Sequence, residues 1–440
     1  MTASKLTPRT ITAFALPAIP ISALGLPLVV YLPPFYGSEM GLGLSTIGTI
    51  FAIARVWDLV TDPVLGIVSD KFTTRLGRRR HWIILSVPIL AASAYAVFLP
   101  TPPVSARYLL FWMVVLYAGF TMLSISHMSW GAELSDDYDD RSRVQGWREF
   151  ALIFGMLAVL AIPAIVQQTE AANYQTKVAS MGWFVILTLP VTVGIAVTSV
   201  SERPVPPSKH VGLRRSLAIV LQNRLLQRVL LADFLTGLAP GIVGSIYLFF
   251  ISEVMALPEW SSLILLLYFT ASLVGVPGWI WLSCRIGKHP TFIVAMVWMA
   301  ATLPLLLWVQ PGDLGWNITV NTLFGLANAA SPFLLRSILA DVTEIDNLQS
   351  GTQRTGLYYA LLMMTNKFGY ALAVGVTYPV LDWIGFVPEA TNTPETLSAL
   401  KWLFVLSPIP LVLLAALTLW RFPLDAQRQQ ELRKQLSLKH

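Results

Sequence analysis

The sequence predicts an all-α polytopic membrane protein of twelve transmembrane helices, arranged as two pseudo-symmetric six-helix bundles. Three observations lead there. The chain of 440 residues is 55% hydrophobic and only 12% charged, whereas a soluble domain carries about 25% charged residues. Its apolar stretches recur at lengths that suit about a dozen spans of ~20 residues with short loops. Its basic residues alternate between loops in a way that fits twelve spans with both ends in the cytoplasm.

The same composition excludes several classes. Cys284 is the single cysteine, so neither an intramolecular disulfide nor a cysteine-rich metal site is available. The five histidines show no HExxH spacing, and no phosphate-cradling P-loop is present, so primary ATP-driven transport by this chain is not expected. The net charge of +6 is explained by loops that lie on the cytoplasmic side, not by nucleic acid. The first apolar stretch, Ile11 to Leu32, is long enough to remain as a span, and no cleavable signal is expected.

In chain order, the first span carries Pro17, Pro20 and Pro27, which bend a membrane helix and free carbonyls. A turn from Tyr36 to Ser45 has no Lys or Arg. The second span, about Thr46 to Val68, holds Arg55, Asp58 and Asp62. The two aspartates are four apart and therefore share one helix face. Carboxylates in the bilayer core are costly, and two on one face more so. Together they offer hard oxygen ligands for Na⁺, or a site that shares a proton; the plainer reading is an ion pair with Arg55. Lys71, Arg75, Arg78, Arg79 and Arg80 follow in a loop assigned to the cytoplasm.

The third span is expected from about Trp82 to Leu99. The fourth runs from about Tyr108 to Ala132 and contains Thr121, Ser124, His127 and Trp130. The last three are spaced three apart on one slowly drifting face. They suit hydroxyl, imidazole and stacking contacts to a solute, or else packing for His127 and interface anchoring for Trp130. A charged loop, Glu133 to Arg143, leads to a fifth span near Val144 with Arg148 and Glu149 in its first turns. The sixth span is expected from Trp183 to Val200. A polar stretch from Ser201 to Arg224 reads as a linker, with a short surface helix at Leu213 to Leu221.

Spans seven to twelve are expected near 228–251, 262–284, 291–309, 316–339, 356–381 and 400–420. Asp233 lies early in the seventh, as a candidate partner for a basic group; Lys367 lies in the eleventh. Asn321 and Asn328 read as interhelical hydrogen-bonding groups, and Tyr358 and Tyr359 as packing or interface residues. Ala132-Glu133-Leu134-Ser135-Asp136 after the fourth span is echoed by Ala340-Asp341-Val342-Thr343-Glu344 after the tenth. This echo supports two parallel halves. The domains are therefore 1–200 and 226–421 as bundles, 201–225 as a cytoplasmic linker, and 422–440 as a cytoplasmic tail.

Asp58-Leu59-Val60-Thr61-Asp62-Pro63, Gly66, Ser69-Asp70 and the run Thr74 to Arg80 resemble the second-helix signature of the glycoside–pentoside–hexuronide:cation symporters. These form the melibiose-permease-like branch of the major facilitator superfamily. Leu339 to Val342, Gly351 to Leu357 and Lys367 resemble that family's tenth-to-eleventh-helix region. The resemblance covers nearly the whole chain and implies the major facilitator fold. It implies that Asp58, Asp62 and Thr121 bind the coupling Na⁺, Li⁺ or H⁺, and that Arg148 and Lys367 lie at the substrate cavity. By the same analogy, Asp70 and Arg78 clamp the cytoplasmic helix ends. The sequence departs from melibiose permease in having no acidic residue in the first span, and Ser124 where the fourth helix has a carboxylate.

The expected function is cation-coupled symport of a sugar or glycoside-like solute by alternating access. The expected setting is a bacterial inner membrane, as a monomer, with no cofactor and no nucleic acid. A lysophospholipid or other amphiphile is the alternative solute. From another class, a non-transporting sensor would lose its cation dependence, and an intramembrane enzyme has only His127 beside Ser124 or Ser126 as a candidate pair.

Overall fold

The computed structural model describes residues 6–134, 138–167, 173–202, 222–350, 355–388 and 390–423. Its chain divides into two compact units, Met1–His210 with Gly375–Ala390, and Val211–Val374 with Thr391–His440. Among the described residues, regular structure is helical throughout.

In the first unit, prolines cut the first span into pieces. Pro8–Ala15 (α1), Ala18–Gly25 (α2), Pro27–Val30 (α3) and Leu32–Ser38 (α4) follow one another. Pro17, Pro27 and the Pro33–Pro34 pair stand at or just before the starts of pieces, where a missing N–H removes no helical hydrogen bond. Helix α4 takes in Tyr36, which the sequence reading placed in a turn. The other helices are Leu44–Lys71 (α5), Arg80–Phe98 (α6), Ala106–Glu133 (α7), Tyr138–Val166 (α8) and Tyr174–Ser199 (α9). The sixth span therefore begins nine residues before the expected Trp183. Asn173 caps it there by accepting from the Thr176 N–H, a polar start that hydropathy does not register.

The second unit begins with Arg224–Phe249 (α10), capped by the Asn223 side chain and extended by one π turn, Phe250–Val254. Then come Ser261–Ile286 (α11), Lys288–Thr302 (α12), Leu314–Asn328 (α13), Ala330–Ser350 (α14) and Thr355–Trp383 (α15), the last counted with the first unit from Gly375 on. Pro394–Leu406 (α16) and Pro408–Thr418 (α17) complete the described helices. The tenth span breaks at Ala329 and continues to Ser350, so the Ala340–Glu344 echo is helical and does not follow the helix. The twelfth starts at Pro394 because Thr393 caps it, and the fifth starts at Tyr138. Asn321 donates its amide to the Asn317 carbonyl of its own helix, not across helices. Leu213 to Leu221 and most of the expected linker and tail lie outside the described residues.

Eleven segments among the described residues are long and apolar enough to cross a bilayer. The remaining expected span is α15, which has the length, 29 residues. It carries Asn366 and Lys367 near its middle, which lowers its apolar character. Exposed side chains such as Phe111, Ile165 and Leu187 suit a solvent of lipid tails.

Candidate functional site

Helix α5 puts Asp58 and Asp62 one turn apart, and α7 packs against α5. Thr121 of α7 is buried. Its Oγ1 stands 2.8 Å from Asp58 Oδ1 and 2.9 Å from Asp62 Oδ1. Asp58 is fully buried. Two carboxylates and a hydroxyl form a group of hard oxygen donors. Arg55 places its guanidinium over the Tyr117 ring, 4.9 Å from the centroid. Tyr117 and Thr121 are four apart on α7, so they share the face that meets α5. Tyr117 was not singled out from the sequence; its spacing from Thr121 is the signal that could have found it.

The face below this cluster is tightly packed. The His127 ring stacks on Phe14 with centroids 4.4 Å apart, and its Nε2 lies 2.7 Å from the Phe14 carbonyl. Trp130 meets Phe14 edge-on at 5.6 Å. Both are fully buried, which excludes an interface-anchor role for Trp130. Among the described residues, His127 Nδ1 and Trp130 Nε1 are buried and have no hydrogen-bond partner. The Ser–His pairing that an enzyme would need is therefore not formed at His127. Ser124 is half-buried on the same helix. Arg148 of α8 is half-buried and acts electrostatically on His127.

A third cluster surrounds the start of α6. Glu133, at the end of α7, accepts from Arg78 Nη2 at 2.6 Å and from Arg79 Nη2 at 2.9 Å. Arg79, 4% exposed, also donates to Ser69 Oγ at 3.0 Å. Glu202 takes the backbone N–H groups of Arg78, Arg79 and Arg80 at 2.7, 2.8 and 3.3 Å. A carboxylate is favoured at a helix N-terminus, where free N–H groups converge. Glu202 was not found from the sequence, because nothing near it in the chain points to residues more than a hundred positions earlier. The side chain of Asp70, the expected partner of Arg78 in clamping helix ends, lies outside the described side chains.

The second unit holds the other two expected residues. Lys367 is half-buried on α15. Asp233 is buried on α10 and accepts from Thr365 Oγ1 at 2.9 Å. In the same unit, Lys288 Nζ binds both oxygens of Asp341, at 2.8 and 2.6 Å. This joins the start of the ninth span to the tenth, as Arg78 and Arg79 with Glu133 join the third span to the fourth. The sequence echo is thus matched by an acid–base clasp in each unit.

A helical, multi-span chain with charged clusters inside apolar helices belongs to the class of polytopic membrane proteins. The likeness to the crystal structure of nucleoside transporter NupG covers 94% of this chain and 100% of that one, with a TM-score of 0.66 and 13% identity. It shows the major facilitator fold. The family model for MFS/sugar transport protein matches residues 13–426, and the chain belongs to that family. Among its relatives, the sodium-dependent lysophosphatidylcholine symporter 1-A of Danio rerio is 24% identical, over 97% of this chain and 87% of that one. The glucuronide carrier protein homolog of Escherichia coli (strain K12) is also 24% identical, over 91% and 89%.

Proposed function

We propose that this chain is a cation-coupled secondary symporter of a sugar- or glycoside-like solute, with Na⁺ or H⁺ as the coupling ion at Asp58, Asp62 and Thr121. The observation that carries the reading is the position of the Thr121 hydroxyl between two carboxylate oxygens. A hydroxyl has one proton, so it cannot donate fully to both. Two close carboxylates also resist joint ionisation. A cation held among the three oxygens relieves both conflicts, as does a proton on one carboxyl. If cation and solute favour the same state, each raises the affinity of the other by the same factor, and alternating access converts that coupling into uphill transport.

The solute side of the proposal uses Ser124, His127, Trp130 and Arg148 of the first unit, and Lys367 of the second. The buried His127 Nδ1 and Trp130 Nε1, without a partner among the described residues, support it, since solute hydroxyls would satisfy both, donating to Nδ1 and accepting from Nε1. The domain reading takes 1–200 and 226–421 as the two bundles. The setting is a bacterial plasma membrane with both termini in the cytoplasm. The work done is translocation, without bond chemistry or a resident cofactor.

A second reading, lysophospholipid transport, is favoured by the likeness to the Danio rerio symporter and by the lack of any acidic residue in the first span to hold sugar hydroxyls. Thermal stabilisation separates the two. Purified protein is melted with glycosides, sugar acids or lysophospholipids, each with and without Na⁺. A ligand of the native state raises the apparent Tm by mass action. A sodium-enhanced shift with a glycoside or sugar acid supports the first reading. A shift with lysophospholipid alone replaces it with the second.

A further inference from the structure

Asp233 sits on α10, 5% exposed, within a segment apolar enough to cross a bilayer. Its carboxylate meets two neighbours on α15. Thr365 Oγ1 lies 2.9 Å from Oδ2, and Asn366 Nδ2 reaches Oδ1 at 3.5 Å, beyond a normal hydrogen-bond length. The helices come this close because residue 237, one turn on, is glycine; a Cβ there would stand 2.7 Å from the Asn366 carbonyl.

Among the described residues, the ion pairs formed do not include this carboxylate. Arg336 of α14 acts on it electrostatically, and that side chain is exposed. On α14, Asp341 is held by Lys288, and Glu344 and Asp346 lie further along. On α10, Arg228 donates to the carbonyls of Thr418 and Trp420. On α16, Lys401 donates to the carbonyls of Leu307 and Val309, and Glu395 is in its first turn. Helix α17 contains no charged residue. Lys367 follows Asn366 on α15, with Asp382 near the far end of that helix.

The Thr365 hydroxyl is also 2.9 Å from the Leu362 carbonyl of its own helix. Its single proton can serve the carbonyl or Asp233, one at a time. If it goes to Asp233, the carboxylate is charged with one good donor, one long one and the weaker pull of the Asn366 N–H and of Arg336, which is sparse solvation for a buried ion. If it goes to Leu362, the Thr365 oxygen offers only lone pairs, and the 2.9 Å contact is a hydrogen bond when the Asp233 carboxyl itself carries a proton. The same geometry therefore serves both protonation states. A sodium ion is served worse, because one carboxylate, one hydroxyl and an amide nitrogen do not replace a shell of oxygens.

We infer that Asp233 is a proton-binding site of the second unit, separate from the Asp58–Asp62–Thr121 cluster, with Thr365 as its hydrogen-bond partner in both states. This goes beyond the coupling reading above and stands or falls apart from it.

The test is pH-difference infrared spectroscopy of the purified full-length chain, with H⁺ as the probe. An Asp58→Asn, Asp62→Asn background removes the paired aspartates from the spectrum. A protonated-carboxyl C=O band should titrate in that background and vanish when Asp233→Asn is added. Thr365→Val should keep the band and move its midpoint to higher pH, with about tenfold tighter proton binding, because the charged form loses a charge-assisted donor. Persistence of the band in Asp233→Asn overturns the inference. If that variant does not fold, an unmoved midpoint in Thr365→Val does so instead. Loss of sodium effects in the background variant alone leaves the Asp233 band in place, so the two readings fail separately.

Discussion

Gly77 turns with φ of +109° directly against the carboxylate of Glu202. The turn, closed by paired backbone hydrogen bonds between Thr74 and Gly77, aims the next three N–H groups at that carboxylate. A Cβ at residue 77 would collide with it. Gly77→Ala should therefore cost roughly 1–3 kcal/mol through left-handed strain alone, and more where Glu202 is displaced. The check is a lower Tm in detergent, with Gly146→Ala, where a Cβ meets nothing within 4 Å, as the control.

Glu202→Gln keeps the shape of the side chain but removes its charge from the start of α6. The loss should be about 1–2 kcal/mol, since the interaction combines charge-assisted hydrogen bonds with the helix dipole. Raised salt should narrow the gap to wild type by screening. A salt-independent gap would mean that packing, not charge, is what the substitution disturbs.

The two acid–base clasps differ in burial, and their variants should differ accordingly. Glu133→Gln leaves Arg79, with a side chain only 5% exposed, without its carboxylate, which should cost about 3 kcal/mol. Asp341→Asn strands Lys288, whose side chain is 29% exposed and can turn to water, for about 1 kcal/mol. Urea or thermal denaturation in mild detergent ranks them. The reverse order would contradict the burial argument.

His127→Phe preserves the stack on Phe14 and removes both ring nitrogens. It should lower stability by about 1–2 kcal/mol, because the Phe14 carbonyl loses its partner. The solute reading adds a second effect: affinity for the solute identified in the thermal panel should fall severalfold, while the sodium effect remains. Unchanged solute affinity would leave His127 with a packing role alone.

Much of this was legible in the sequence, for reasons that differ by residue. The Asp58–Asp62 pair declared itself because the spacing of a helix turn and the cost of intramembrane charge both act locally. Thr121 came from resemblance, and α5 packing on α7 supplies the contact. The span edges at Tyr174, Pro394 and Ser350 were missed because hydropathy falls where polar caps and the Lys288–Asp341 pair let the helix continue. The burial of His127 was not readable, since spacing names a face but not the Phe14 ring that covers it. Glu202 and Thr365 were invisible for the same reason: each acts on a residue far away in the chain.

The central claim is that Asp58, Asp62 and Thr121 hold the coupling cation. The most direct measurement is the apparent Tm of wild type, Asp58→Asn, Asp62→Asn and Thr121→Val, against Na⁺ at constant ionic strength and against pH. Wild type should be stabilised by Na⁺, by acid, or by both, by about 2.7 kcal/mol at a hundredfold excess over Kd. Each aspartate variant should lose the Na⁺ response and keep only the part of the acid response that Asp233 carries, and Thr121→Val should weaken the Na⁺ response. Aspartate variants that respond to Na⁺ and pH as wild type does would contradict the assignment.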